Sequence, residues 1–268
     1  MRVEVGVYLA VARSGFRRHA SYRLATAAGG FTNTVFGFIR AFVLIAVWQA
    51  RPHIGGYDVA DAVLFCFLTQ ALIAPVAIFG EGLELPERIR TGDVVIDLYR
   101  PVDFQGWWLA ADLGRAGFAV VFRGLPPLAA GVLAFGLALP GSPLTWLAFA
   151  VSVLLAVVVS FGLRYLAALA AFWLLDDRGV HAAAGIAAMF FSGMVLPLVL
   201  FPGWLGTLAR ILPWAATIQV PADVFLGQHG GWGLAGALGF QALWAGALLA
   251  LGRLVTAAAR RRVVVNGG

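Results

Sequence analysis

Long apolar runs decide what this chain can fold into. Residues 24–50, 59–80, 106–139, 144–175, 181–201 and 232–257 are apolar with few interruptions. A helix crosses the hydrocarbon core of a bilayer with roughly 20 such residues, so the runs predict six spans. A water-soluble domain needs a polar skin. Here 61% of the 268 residues are hydrophobic and 12% are charged, against ~25% charged in an ordinary soluble domain. The composition excludes a soluble globule and predicts an all-α integral membrane protein. The third and fourth runs exceed the length of one span and are expected to tilt or project from the bilayer. Asp112, Arg115 and Arg123 place the first part of the third run at the interface, a level that suits Trp107 and Trp108.

Two further segments complete the predicted layout. Val3, Val7 and Val11 recur at four-residue spacing before Arg13, Arg17, Arg18 and His19. Residues 2–18 therefore read as a basic amphipathic helix at the membrane surface, with no signal peptide. The stretch 202–231 is largely apolar yet punctuated by Pro202, Pro213, Pro221 and Gly227. A connection that apolar does not sit in water, and broken backbone at membrane depth needs protein around it. It reads as an external re-entrant helical hairpin before the sixth span. The turn around Pro140–Pro143 carries no charge and is expected outside.

Arginine positions set the orientation. Twelve arginines (at 2, 13, 17, 18, 23, 88, 90, 100, 178, 260, 261 and 262) fall on one side of a six-span layout, and only Arg51 and Arg210 on the other. Both termini are therefore expected in the cytoplasm. The net charge of +6 belongs to this topology and does not point to nucleic acid.

Several chemistries are excluded outright. All 19 basic residues are arginine, so neither a P-loop nor a lysine Schiff base can form. With so much Ala and Gly, this usage indicates a GC-rich genome. Cys66 is the single cysteine, and the histidines at 19, 53, 181 and 229 have no metal-ligand spacing, so no disulfide and no metal site are expected. No nucleophile elbow or zincin motif occurs.

The segment 81–103 is the most charged stretch between the first and last spans. Glu81, Glu84 and Glu87 share one helical face, Pro86 can start a helix, and Thr91-Gly92-Asp93 is a turn signature. It reads either as a docking element for a cytosolic partner or as a solvated loop with local ion pairs. Arg40 and Arg164 are charges within spans and hence functional candidates. Arg40 is expected to snorkel towards the external face, and neither arginine has an evident carboxylate partner at its depth, which argues against a proton relay. Asn33, Thr34, Gln70, Ser160, Ser192 and Gln241 suit helix–helix hydrogen bonding, and Ala27, Gly30 and Thr34, like Gly233, Ala237 and Gln241, are spaced for close helix contact.

Two stretches resemble a known family. Residues 89–114, IRTGDVVIDLYRPVDFQGWWLAADLG, carry Ile89, Gly92, Asp93, Val94, Leu98, Arg100 and Pro101 in the pattern that follows the second span of ABC transporter permeases. The resemblance is to the type-2, exporter-like class, in the six-span branch with a separately encoded ATPase. Residues 190–228 carry Ser192, Gly193, Pro197, Phe201, Pro202, Leu212, Pro213, Pro221 and Gly227 in that family's later pattern. SYRLATAAGGF near residue 22 and Trp48 also fit, whereas Tyr99 and Trp214 depart from it.

The resemblance implies a non-catalytic permease subunit in a bacterial plasma membrane. Its partners would be ABC ATPase subunits, which bind the ATP and magnesium, and a second permease, either another copy or a homologue. It assigns ATPase coupling to Glu84, Glu87, Arg88, Arg90, Gly92, Asp93, Asp97, Arg100 and Pro101, and the re-entrant segment to Pro197, Pro202, Pro213, Trp214, Pro221 and Gly227. Substrate would cross at the permease–permease interface, lined by spans one, two and five, with Asn33, Arg40, Gln70 and Ser192 as candidate path residues. The alternative class is an ion-gradient-driven secondary transporter or channel, which would show paired broken helices in both halves; only the C-terminal half has one. A membrane-embedded enzyme would need converging carboxylates, His or Cys, and a purely structural membrane subunit would bind partners without transport.

Overall fold

The computed structural model of the chain describes residues 2–52, 54–78, 83–174 and 177–261. Every regular element among them is helical: α1 (Arg2–Ala20), α2 (Arg23–Ala50), α3 (Val59–Ile73), α4 (Leu85–Thr91), α5 (Val94–Tyr99), α6 (Phe104–Ala119), α7 (Leu125–Phe135), α8 (Pro143–Leu169), α9 (Arg178–Phe191), α10 (Gly203–Ile211), α11 (Gln219–Phe225) and α12 (Trp232–Arg260). Short 3-10 turns fill several of the joints. Glu81 and Arg262 lie outside the described residues, as do the last residues expected in the second and fourth runs.

Among the described residues, four helices are long and apolar enough to cross a membrane: Arg23–Ala50, Phe104–Phe135, Pro143–Phe172 and Trp232–Arg260. The third is α6 and α7 joined by a π-helical turn at Val120–Gly124. Its cause is local. Pro126 and Pro127 supply no N–H to the preceding turn, and a wider turn absorbs the missing ladder bonds. Gly124 at this turn lies so near α3 that a Cβ there would stand 2.7 Å from the Ala71 carbonyl oxygen.

The second and fifth apolar runs form shorter helices. α3 starts at a capping box, with the Asp58 side chain accepting from the Asp61 amide and Asp61 accepting from the Asp58 amide. It stops at Ile73, where Pro75 follows. α9 ends at Phe191, just before Gly193 takes φ +86° and Pro197 follows. Helices of 15 and 14 residues reach only about 20 Å at 1.5 Å per residue. The segments after them leave regular structure.

α3 is central. Eleven of its residues are buried, from Ala62 through Gln70 and on to Leu72 and Ile73, as befits a helix that is apolar all round. It forms a hairpin with α2, closed by the Trp48 indole donating to the Tyr57 carbonyl at 2.9 Å. Trp48, Tyr57, Phe65 and Phe67 anchor the surrounding core with Leu44, Leu68 and Phe225. Lipid tails are as apolar as leucine, so close packing and interhelical hydrogen bonds hold such an array together. Gln241 shows the second device. Fully buried on α12, it donates to the Ser152 carbonyl of α8 at 3.0 Å and to the Ala216 carbonyl at 2.8 Å, and accepts from the Ser152 hydroxyl at 2.8 Å.

The N-terminal helix packs along α6. A Cβ on Gly114 would stand 1.9 Å from the Ala12 carbonyl oxygen, and one on Gly15 would stand 2.5 Å from that of Ala111. The two backbones approach this closely only because both positions are glycine. Phe16 adds an edge-on contact to Phe118 at 5.4 Å.

Candidate functional site

The charged segment is a pair of short helices set at right order by its own ion pairs. Leu85 and Pro86 open α4, both buried. Gly92 ends it at φ +83°, a left-handed conformation that suits glycine. Val94 buries its side chain against the same cluster as Leu85, Phe104, Trp108, Phe161 and Tyr165. The pair is thus anchored on α6 and α8. Asp103 then caps α6, accepting from the Gly106 amide at 2.7 Å, while its own amide donates to the Tyr8 hydroxyl of α1 at 3.2 Å.

Charges turn inward on this element. Asp97 has a side chain only 2% exposed. Arg88 reaches it with Nη2 at 3.0 Å and Arg100 with Nη2 at 2.9 Å. Arg100 also lies over the Trp107 ring, 4.2 Å from its centroid. Arg90 bridges Glu87 at 2.9 Å and Asp177, before α9, at 2.7 Å. Arg18 of α1 pairs with Glu84. This hydrogen bond, more than the accompanying charge attraction, holds the Glu84 carboxyl below its usual range. Asp97, Arg88 and Arg100 therefore brace the element from within. Gly92 and Asp93 remain exposed, as do Ile96 at 61% and Tyr99 at 82%. Pro101 lies in the short link between α5 and α6.

A second polar centre sits inside the helical array, and the sequence had not revealed it. Arg164 of α8 does have a carboxylate partner, contrary to the sequence expectation. Its Nη1 and Nη2 reach Asp112 of α6 at 3.2 and 2.6 Å. Arg115 donates through Nε to the same carboxylate at 2.7 Å and through Nη1 and Nη2 to the carbonyls of Ala74 and Pro75 at 2.8 Å each. The guanidinium thus takes up backbone acceptors where α3 ends. Ser160 of α8 donates to the Val76 carbonyl in the same stretch. Asp112 is 1% exposed in its side chain. Asp112 and Arg115, expected near the membrane interface, are turned into the protein against α3 and α8.

Around the proline-broken segment a third cluster ties three chain regions together. Gln219 of α11 accepts from the Leu198 amide at 2.9 Å and donates to the Tyr57 hydroxyl at 3.0 Å and to Asp223 at 2.8 Å. Tyr57 also donates to Asp223. The Gln219 amide donates to the Ser192 carbonyl at 3.0 Å. Pro197 precedes a 3-10 turn, Pro202 precedes α10, Pro213 opens a second 3-10 turn, Pro221 lies in the first turn of α11, and Gly227 follows α11 at φ +71°. Trp214 faces Phe191 of α9 at 5.9 Å between centroids.

The candidate path residues are all tied into the helical array, two of them buried and two, Asn33 and Arg40, half-buried. Asn33 donates to the Gln70 carbonyl at 3.3 Å, and Ser192 accepts from the Met194 amide at 3.2 Å; Gln70 and Ser192 are buried. Arg40 does not run to the external end of its helix. It donates to the Thr69 hydroxyl and the Val195 carbonyl, each at 3.0 Å, joining α2 to α3 and to the stretch after α9. A cavity of about 340 Å3 lies between α8, α9 and the 3-10 turn at Trp214, with Ser160, Arg164, His181 and Thr217 among its walls. Among the described residues no three His, Cys, Asp or Glu side chains gather as metal ligands.

The family model described as ABC-2 family transporter protein matches residues 35–267. No curated protein matches the chain.

Proposed function

The chain belongs to the ABC-2 family of transporter proteins, a membrane transport component, and from this premise we propose that it is the permease subunit of an ATP-driven exporter in a bacterial plasma membrane. A separate ATPase binds ATP and magnesium. A second permease, the same or homologous, completes the path. α3 and α9, with the irregular stretches that follow them, complete the second and fifth of six spans. Residues 202–231 form a re-entrant hairpin from the outside, and both termini face the cytoplasm.

One observation carries the reading. The α4–α5 pair is anchored through Leu85 and Val94, braced by Asp97 between Arg88 and Arg100, and still exposes Ile96 and Tyr99. Large apolar side chains at the tip of a stiffened, charged element are what a docking surface presents to a protein partner. Stiffness serves coupling, because a rigid element passes a partner's displacement to α6 and α8. In this reading ATP closes the ATPase dimer, the pair moves with it, and the two permeases shift between two packings.

The test separates contact from bracing. Ile96→Asp with Tyr99→Ser should lower ATPase co-purification about tenfold or more, as expected for loss of buried interface anchors, and leave the permease folded. Arg88→Glu should act differently, loosening the element because it strips Asp97 of a partner. Full ATPase assembly and transport in the Ile96/Tyr99 variant would overturn the docking assignment.

A further inference from the structure

α9 is loosely packed along its length and held at its two ends. None of its 14 residues is buried. A cavity of about 340 Å3 lies between it, α8 and the lead into α4, reaching from Leu83 to Trp214. Ala184, Gly185 and Ala188 line this cavity from α9, and Ala167 lines it from α8. Residues this small ordinarily let two helices close on each other, and a Cβ on Gly185 would meet nothing within 4 Å. At the C-terminal end of α9 the Ser192 carbonyl accepts from the Gln219 amide at 3.0 Å, and Gly193 takes φ +86° directly after it. At the N-terminal end Asp177 stands in the N-cap position. An aspartate there ordinarily accepts from the first-turn amides of its own helix, yet this side chain makes no such bond. It is 4% exposed, and its Oδ1 takes Arg90 of α4 at 2.7 Å instead. Arg90 is 42% exposed, and an ion pair open to water on one side adds little to stability.

We propose that Asp177 is a positioning residue of the coupling step: through it the α4–α5 pair draws the N-terminal end of α9 into the cavity. The inference rests on the ATPase-docking reading above. A partner that displaces the braced pair displaces Arg90 with it. Arg90 carries Asp177, and α9 follows because no buried side chain of its own resists. The cavity supplies the room, so α9 closes on α8 without forcing packed side chains apart. Ser192 and Gly193 hold the other end, so the helix tilts about that point. α9 is the fifth proposed span and one of those assigned to the substrate path, so its tilt changes the width of that path.

The purified permease–ATPase complex tests it, with Ala188→Cys as the reporter. Cys66 is fully buried, so N-ethylmaleimide labels the introduced thiol in the cavity. Magnesium-ATP with vanadate should slow that labelling severalfold as the cavity closes. Asp177→Asn should still co-purify with the ATPase, because it leaves Ile96 and Tyr99 in place and asparagine caps helices well, but its labelling should no longer respond to nucleotide. Asp177→Glu keeps the charge and should restore the response at least in part. Gly185→Leu fills the cavity and keeps the ion pair. It too should remove the response, and it remains informative if Asp177→Asn fails to fold. Labelling that ignores nucleotide in the otherwise unaltered chain, a full response in Asp177→Asn or Gly185→Leu, or no better response in Asp177→Glu than in Asp177→Asn would overturn the proposal. A complex that never assembles would instead overturn the docking reading beneath it, so the two failures are distinct.

Discussion

Removing the charge of Asp112 should be among the most damaging single changes in the protein. Asp112→Asn keeps the side-chain volume but replaces a carboxylate that receives Arg115 Nε at 2.7 Å and Arg164 Nη1 and Nη2 at 3.2 and 2.6 Å. The amide offers one acceptor oxygen and points two donors at guanidiniums that also donate. The carboxylate is 1% exposed, so water cannot make up the difference. Breaking a buried, hydrogen-bonded ion pair from one side costs about 3–5 kcal/mol. For a chain of this size that converts to a fall of about 6–20 °C in the unfolding midpoint. A thermal-shift or size-exclusion stability assay of purified protein reads it. Adding Arg164→Gln to Asp112→Asn should cost less than the sum of the two single changes, by about 0.5–3 kcal/mol, because the two share one interaction. A fall under about 2 °C for Asp112→Asn, or strict additivity in the double variant, would refute the view that this centre locks α6, α8 and the end of α3 together.

Other consequences follow from the same geometry. Gly114→Ala should push α1 from α6 by about 1 Å or more and cost about 1–3 kcal/mol, the usual range for overpacking; protease protection or hydrogen exchange of α1 reads the loss. Gln219→Ala leaves the Leu198 amide and Asp223 short of a partner, and about 1–3 kcal/mol per orphaned group should appear as faster hydrogen exchange in residues 193–226. The contact between Arg18 and Glu84 should depend on pH. The Glu84 carboxyl lies below its ordinary value near 4.5 in the folded protein, so its contribution is present above that value and is lost as the pH falls beneath it. Cross-linking of α1 to α4 should therefore weaken as the pH falls beneath the ordinary carboxylate range, and Glu84→Gln should abolish that dependence.

The long helices were legible because their signal is local. Arg23–Ala50 and Trp232–Arg260 begin and end close to the runs 24–50 and 232–257, since hydropathy and breaker residues act along a few turns of chain. Even the breaks could be read in part, from the prolines between 197 and 221, although the run 59–80 gave no warning that α3 stops at Ile73. Pairings of charge could not. Asp97 looked like a surface contact for a partner, yet it lies between Arg88 and Arg100. Asp223, Gln219 and Tyr57 carried no sequence signal at all, because the contact between Gln219 and Tyr57 crosses 162 positions of chain.

By itself, the sequence determined the solvent this protein requires. Its apolar runs demand a bilayer, its arginines bias one face, its lack of lysine excludes a P-loop in this chain, and its motifs at 89–114 and 190–228 identify the family. The tertiary structure alone decided which charges meet. Whether Arg164 finds Asp112, or whether two glycines let α1 touch α6, depends on how helices rotate and slide against one another. Those choices are set by packing among residues far apart in the chain, and no window of neighbouring residues contains them.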